Sequence, residues 1–165
     1  CSITGCMDDA WAAISPGWKL VDSIQSSRDS VLLEGDIDVG LTVLIALRGP
    51  RLAKVQSDSF TDQKKLFERA MASLSIGSVL DAMSANGMAV AAATGDDEAL
   101  RICNSVITRG AIAAGVSGSG PAISIVCYEQ DSEQLTELLT ESGMQVIHSR
   151  FIESEPVGEE ASSWG

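Results

Sequence analysis

GVSGSGPAISIVCYE, residues 115–129, changes character in the middle. Its first half, Gly115 to Pro121, sets three glycines and two serines between an apolar helical stretch and an apolar run. Glycine tolerates positive φ, so successive amides there can converge on an anion or a substrate oxygen, and a ligand can approach the backbone closely. A tight structural crossover and a ligand-contacting loop both satisfy this composition. It is not a Walker A loop: the spacing from Gly110 to Gly115 fits, but Val116-Ser117 follows where Lys-Ser/Thr is required. The second half, Ala122 to Tyr128, reads as a buried strand.

Working outward from this stretch, the period of the apolar residues separates the elements. Toward the C-terminus, Asp131 or Ser132 is expected to cap a helix with Leu135, Leu138 and Leu139 inward, stopped at Gly143. Met144 to Ile152 then reads as a last strand. Toward the N-terminus, Leu100, Cys103 and Ile107 share a helical face, widened by Ile102 and Val106, with Asp96 or Asp97 as cap. Ile76 to Ala93 reads as another helix. Leu66, Phe67, Ala70, Met71 and Leu74 mark an earlier one, with Thr61 or Asp62 as its cap. The two helices from Ile76 to Ile107 are apolar almost all round, which suits burial in a larger assembly or against a further domain. Upstream, Gly40 to Leu47 (GLTVLIAL) is nearly continuously apolar, as a central strand covered on both faces would be. Trp18 to Ser23 and Ser30 to Glu34 read as short strands, and Ala10 to Ile14 as a short helix. Early strands, central helices and a closing strand-helix-strand unit predict an α+β, ferredoxin-like fold with a mostly antiparallel sheet.

Composition narrows the function. The 165 residues are 45% apolar and 21% charged, in the range of a folded domain. A net charge of −12 argues against general nucleic-acid binding, which needs a basic face. The charge is uneven: Arg48, Arg51, Lys54, Lys64, Lys65 and Arg69 supply more than half of the 11 cations. They form either a solvated face or a patch that attracts a small anion. No apolar stretch reaches the roughly 20 residues of a membrane span, since Asp81, Ser84, Asn86 and Gly87 interrupt the longest. The start at Cys1 carries no signal or transit pattern, and the chain reads as a piece of something longer, from the cytoplasm. Cys103 and Cys127 sit in apolar runs and read as buried reduced thiols. The four cysteines contain no Cys-x-x-Cys pair, and with a single histidine they offer no typical zinc site.

Three further features bear on chemistry. Asp8-Asp9 precedes an apolar helix, where carboxylates suit the macrodipole and where one of them could equally take a proton from an acceptor hydroxyl. His148 lies in a predicted strand, where a structural role is the expectation. Asn86-Gly87 breaks helix propensity without an evident packing gain, so it marks either a kink or a polar edge lining a cleft.

In order and spacing, Thr4-Gly5-Cys6-Met7-Asp8-Asp9-Ala10, the Trp18 to Ser23 strand, Asn86-Gly87 and Ala113-Ala114-Gly115-Val116-Ser117-Gly118-Ser119-Gly120-Pro121-Ala122 resemble the C-terminal portion of archaeal-type shikimate kinases. These are members of the GHMP kinase superfamily. The resemblance spans about Ser2 to Phe151. It implies ATP-dependent phosphorylation of the shikimate 3-hydroxyl, with ATP and Mg²⁺ in the intact enzyme. It implies Asp8 as the base, and Gly115, Ser117, Gly118, Ser119 and Gly120 as the loop supporting the phosphates and substrate. Asp9, Asn86 and, from charge alone, Arg51 are candidate substrate contacts. Asp22 falls near the family's Thr-Asp-Asn, but Val21 and Ser23 depart from it. The family's ATP loop, of the form Pro-x-x-x-Gly-Leu-Ser-Ser-Ser, is absent. The expectation is therefore that residues 1–152 are the C-terminal part of such a kinase, inactive alone. In that reading 1–35 joins an N-terminal part of the same protein, and 153–165 forms an acidic tail. The alternatives are homoserine or mevalonate kinase, or a non-catalytic ferredoxin-like regulatory module.

Overall fold

The computed structural model describes residues 16–22, 24–25, 28–37, 40–50, 57–118 and 120–152. The chain divides into two compact units, Cys1–Val39 with Phe151–Gly165, and Gly40–Arg150. In the first, β1 (Trp18–Val21) and β2 (Val31–Gly35) form an antiparallel hairpin with a bulge between Leu20 and Val21. Asp22 secures the intervening turn. Its carboxylate accepts from the Ile24 N–H at 2.9 Å, and its own N–H donates to Ser30 O at 2.7 Å.

The second unit contains the other described strands and the described α-helices. A strand β3 (Leu41–Leu47) is followed by helices α1 (Ser57–Asp62), α2 (Lys64–Ser75), α3 (Val79–Ala93) and α4 (Asp97–Ile107). Strands β4 (Ala113–Val116) and β5 (Ile123–Tyr128), helix α5 (Glu129–Glu141) and strand β6 (Gln145–Arg150) complete it. The sheet order is β4-β5-β3-β6 with every neighbouring pair antiparallel. This is the ferredoxin-like arrangement, with its first crossover enlarged to four helices.

Alternation along β3 decides the core. Leu44 lies opposite Ile125 and His148, and Ala46 opposite Ile123 and Val146. Leu44, Ala46, Ile123, Ile125 and Cys127 are fully buried on that face, against Ala99, Cys103 and Val106 of α4 and Leu135 and Leu139 of α5. The other face is less covered: Val43, Ile45 and Leu47 are half-buried and Ile147 is 45% exposed. The central position expected of the GLTVLIAL run holds, whereas full cover on both faces does not.

Several boundaries differ from the sequence reading. Thr61 and Asp62 lie inside α1, and Gln63 occupies the cap position of α2. The ring of Phe60 stacks on Phe67 across that junction, with centroids 6.1 Å apart. Met71 is exposed, so Ala70 with Leu66, Phe67 and Leu74 forms the inward stripe. On α4 the buried stripe is Ala99, Cys103 and Val106, with Ile107 at its exposed margin. Helix α5 begins at Glu129, two residues before the expected Asp131 cap, because the chain passes directly from β5 into the helix. It ends as anticipated at Gly143, where the Met144 N–H returns to Leu139 O at 3.1 Å. Strand β4 carries no strand signal in the sequence, since Ala113, Ala114 and Gly115 have low strand propensity. The expected helix at Ala10 to Ile14 and the acidic tail 153–165 lie outside the described residues.

Candidate functional site

Gly87 and Gly115 explain how α3 meets the edge strand β4. A Cβ on Gly87 would lie 2.5 Å from Gly115 Cα and 2.8 Å from Val116 N, closer than real contacts allow. A Cβ on Gly115 would lie 2.9 Å from Gly87 Cα. The packing gain missing from the sequence reading of Asn86-Gly87 is thus a backbone-to-backbone approach of helix and strand. Ser84 secures it: its Oγ accepts the Ala114 N–H at 3.1 Å and donates to Leu80 O at 3.0 Å.

Beside this crossing lies a half-open cleft of about 230 Å³. Met83, Ser84, Asn86 and Gly87 form one wall, Ala113 to Gly118 the other, and Ser124 and Val126 contribute from β5. Two stretches some 30 positions apart in sequence therefore share one site. Asn86 is the polar edge of that cleft. Among the described residues the lining has no charged side chain, and its polar side chains are the Asn86 amide and the Ser84, Ser117 and Ser124 hydroxyls.

The glycine-rich segment itself is a tight connection between β4 and β5. The Ser117 N–H donates to Ala122 O at 2.9 Å and the Gly120 N–H to Ser117 O at 2.9 Å. Gly118 (φ +57°) and Gly120 (φ +79°) take the left-handed conformation that this turn requires. A Cβ at Gly118 would meet none of the described residues within 4 Å. The two readings of the loop are therefore compatible: it is a structural hairpin whose near end also walls the cleft.

Arg48, just past β3, hydrogen-bonds this hairpin at Pro121. Its Nε donates to Pro121 O at 2.7 Å, Nη1 donates to Asp96 Oδ1 at 2.9 Å and Nη2 to Asp96 Oδ2, and Nη1 also reaches Glu98 at 3.2 Å. Asp96 caps α4 as anticipated, accepting the Ala99 N–H at 2.9 Å. The Arg48 hydrogen bond holds the Asp96 carboxyl below the usual range, with burial acting in the opposite direction. The Asp96 hydrogen bond likewise raises Arg48 against the opposing effect of its own burial. The Arg48 side chain is only 6% exposed, so it is withdrawn from the basic patch that composition suggested. Lys64 of the same segment sits 3.7 Å from Glu68. By charge alone Arg48 groups with Arg51, Lys54, Lys64, Lys65 and Arg69. The available signal was an arginine directly following an apolar strand, where burial demands a partner.

Asp8, Asp9, Arg51 and Ser119 lie outside the described residues. Among the other candidates, Asn86, Gly115, Ser117 and Gly118 line one cleft, and Gly120 lies in the turn between β4 and β5. His148 accordingly has a structural partner, its Nε2 lying 3.1 Å from Thr136 Oγ1 of α5. Cys103 and Cys127 are fully buried free thiols, and burial pushes Cys103 up to about 11. Among the described residues no group of three His, Cys, Asp or Glu side chains could hold a metal ion. No described helix is long and apolar enough to cross a membrane.

Comparison of the sequence with family models and with curated proteins returns no match. Solved structures do match. A phosphotransferase related to the CoA biosynthesis pathway is 14% identical, with a TM-score of 0.56 over 74% of this chain and 41% of that one. Mevalonate pyrophosphate decarboxylase from Streptococcus pyogenes is 16% identical, with a TM-score of 0.49 over 78% of this chain and 49% of that one. Homoserine kinase from Cytophaga hutchinsonii is 14% identical, with a TM-score of 0.47 over 85% and 49%. The chain spans half or less of the length of each of these structures. The likeness to the first shows a shared fold.

Proposed function

We propose that this chain forms the C-terminal portion of an ATP-dependent small-molecule kinase of the GHMP type, with shikimate as acceptor. The observation that carries the reading is the meeting of Asn86-Gly87 with Gly115 to Gly118 in one cleft. Those are two of the stretches on which the sequence resemblance rests, and nothing in their spacing required them to touch. The fold shared with a solved phosphotransferase supports the same reading.

In this proposal the cleft receives part of the substrates through neutral groups: the Asn86 amide, the Ser117 hydroxyl and the backbone at Gly115 and Gly118. Such groups orient a ligand by hydrogen bonds, and orientation is a large part of what phosphoryl transfer asks of a protein. ATP phosphates would find backbone and hydroxyls here, with their charge balanced by cations from outside the described lining. Among the described residues the cleft lining holds no carboxylate, so these residues do not form a Mg²⁺ site. Asp8 would accept the acceptor hydroxyl proton, a role it takes from the resemblance.

The test is ATP consumption by the full-length protein with shikimate, homoserine and mevalonate offered separately. Turnover dependent on shikimate, lowered by Asp8→Asn about 10²–10⁴-fold with folding intact, supports the reading. Turnover with homoserine or mevalonate instead moves the assignment within the superfamily, and undiminished turnover in Asp8→Asn removes the proposed base. The ferredoxin-like strand order favours one second reading, a non-catalytic module that binds a small effector. Inactivity of the full-length protein with all three acceptors would leave that reading ahead.

A further inference from the structure

Arg48 joins three parts of the fold that the chain leaves far apart. It follows β3 directly, and its guanidinium bonds the loop carbonyl of Pro121, 73 positions away, and the α4 cap Asp96, 48 positions away. The side chain is almost wholly buried, at 6% exposure. A buried guanidinium is strongly disfavoured unless its donors are met, and here Nε and both terminal nitrogens have partners. The Pro121 bond is different in kind from the Asp96 pair. Asp96 satisfies the charge, whereas Pro121 O belongs to the hairpin that walls the cleft. The hairpin's own bonds, Ser117 to Ala122 and Gly120 to Ser117, close it on itself and leave its position against the rest of the unit to other contacts.

We propose that Arg48 is a positioning residue for the cleft: the Arg48–Asp96 pair, anchored on the first turn of α4, holds the Gly115 to Pro121 hairpin in place before a ligand arrives. Arginine suits this task because its fixed planar fork can bond a carboxylate with its terminal nitrogens while Nε points at a carbonyl. A lysine ammonium, a single point charge on a flexible stem, could keep the Asp96 attraction but could not hold both partners in that geometry.

The inference rests on the kinase reading only for the identity of the ligand, and its primary test needs none. In the full-length protein, amide hydrogen exchange is followed at residues 117–122 and, as reference, in β3 and α5. Arg48→Lys is expected to raise exchange at Ser117 and Gly120 by about tenfold, equivalent to losing roughly 1.4 kcal/mol of local protection. The reference amides are expected to stay within about twofold, since a tether that acts on one hairpin leaves the rest of the fold closed. Asp96→Asn, which keeps an oxygen for the Ala99 cap but removes the charge, is the second variant and is expected to move the same amides. Unchanged exchange at 117–122 in both variants overturns the proposal. A uniform rise across hairpin, β3 and α5, or failure of both variants to fold, assigns the pair to global stability alone and overturns it equally. In the shikimate assay, Arg48→Lys is expected to raise a substrate KM with kcat nearly unchanged. Absence of activity in the unmodified protein would count against the kinase reading and leave the exchange result to decide the clamp.

Discussion

Replacing Gly87 by alanine sets two well-understood effects against each other. Inside a helix, alanine is favoured over glycine by about 0.8–1.0 kcal/mol, so α3 considered alone gains stability. The added Cβ, however, falls 2.5 Å from Gly115 Cα, whereas ordinary contact begins at 3.4 Å, so helix and strand must separate by 0.9 Å. The atoms in the way are backbone of β4 and cannot rotate aside as a side-chain tip would. Overpacking of this kind costs about 1–3 kcal/mol, and a rigid obstacle places it at the upper end. The balance is a net loss of about 2 kcal/mol, or some 6–10 °C in Tm for a unit of this size. Thermal and urea unfolding of Gly87→Ala measure it. Gly115→Ala is expected to lose less, because its Cβ would sit 2.9 Å from Gly87 Cα and 3.3 Å from Met83 O. An unchanged or higher Tm for Gly87→Ala would refute the reasoning, since helix propensity would then outweigh the crossing.

Acid stability should carry the mark of Asp96. Its folded pKa is depressed, chiefly by the Arg48 hydrogen bond, so its contribution is present above the unfolded value of about 3.9 and is lost as pH falls through the folded value. Urea midpoints measured from pH 5 downward should fall less steeply in Asp96→Asn than in the native protein, and parallel profiles would contradict the assignment. Cys103, fully buried and with its thiol pushed up to about 11, should resist alkylation at pH 8 and react only once the protein unfolds. Site-resolved mass spectrometry checks this, and rapid native labelling of Cys103 would contradict the core packing.

The elements most visible in the sequence were those whose side chains state their environment. The apolar run of β3, the α5 leucines with Gly143 behind them and the Asp96 cap all report local physics, since periodicity and capping depend on neighbours a few residues away. Strand β4 was hidden because Ala113, Ala114 and Gly115 have low strand propensity, and at Gly115 the approach of α3 leaves no room for a Cβ. Asn86-Gly87 looked like a flaw in a helix for the same reason. The Arg48 contacts were hidden differently. Six cations within 22 residues suggest a surface patch, and only the burial of Arg48 separates its structural guanidinium from the exposed Lys64, Lys65 and Arg69.

Composition and pattern alone therefore determined the α+β class, the central place of the β3 run in the sheet, the buried thiols and the two stretches that line the cleft, because each follows from short-range chemistry. Tertiary structure decided what those stretches are to one another. Gly87 and Gly115 are 28 positions apart, and their shared lack of a Cβ becomes one feature only when α3 crosses β4. Arg48, Asp96 and Pro121 become a clamp only when strand, helix start and hairpin converge. Contacts of that separation depend on the topology by which the whole chain closes, and no local window of sequence contains it.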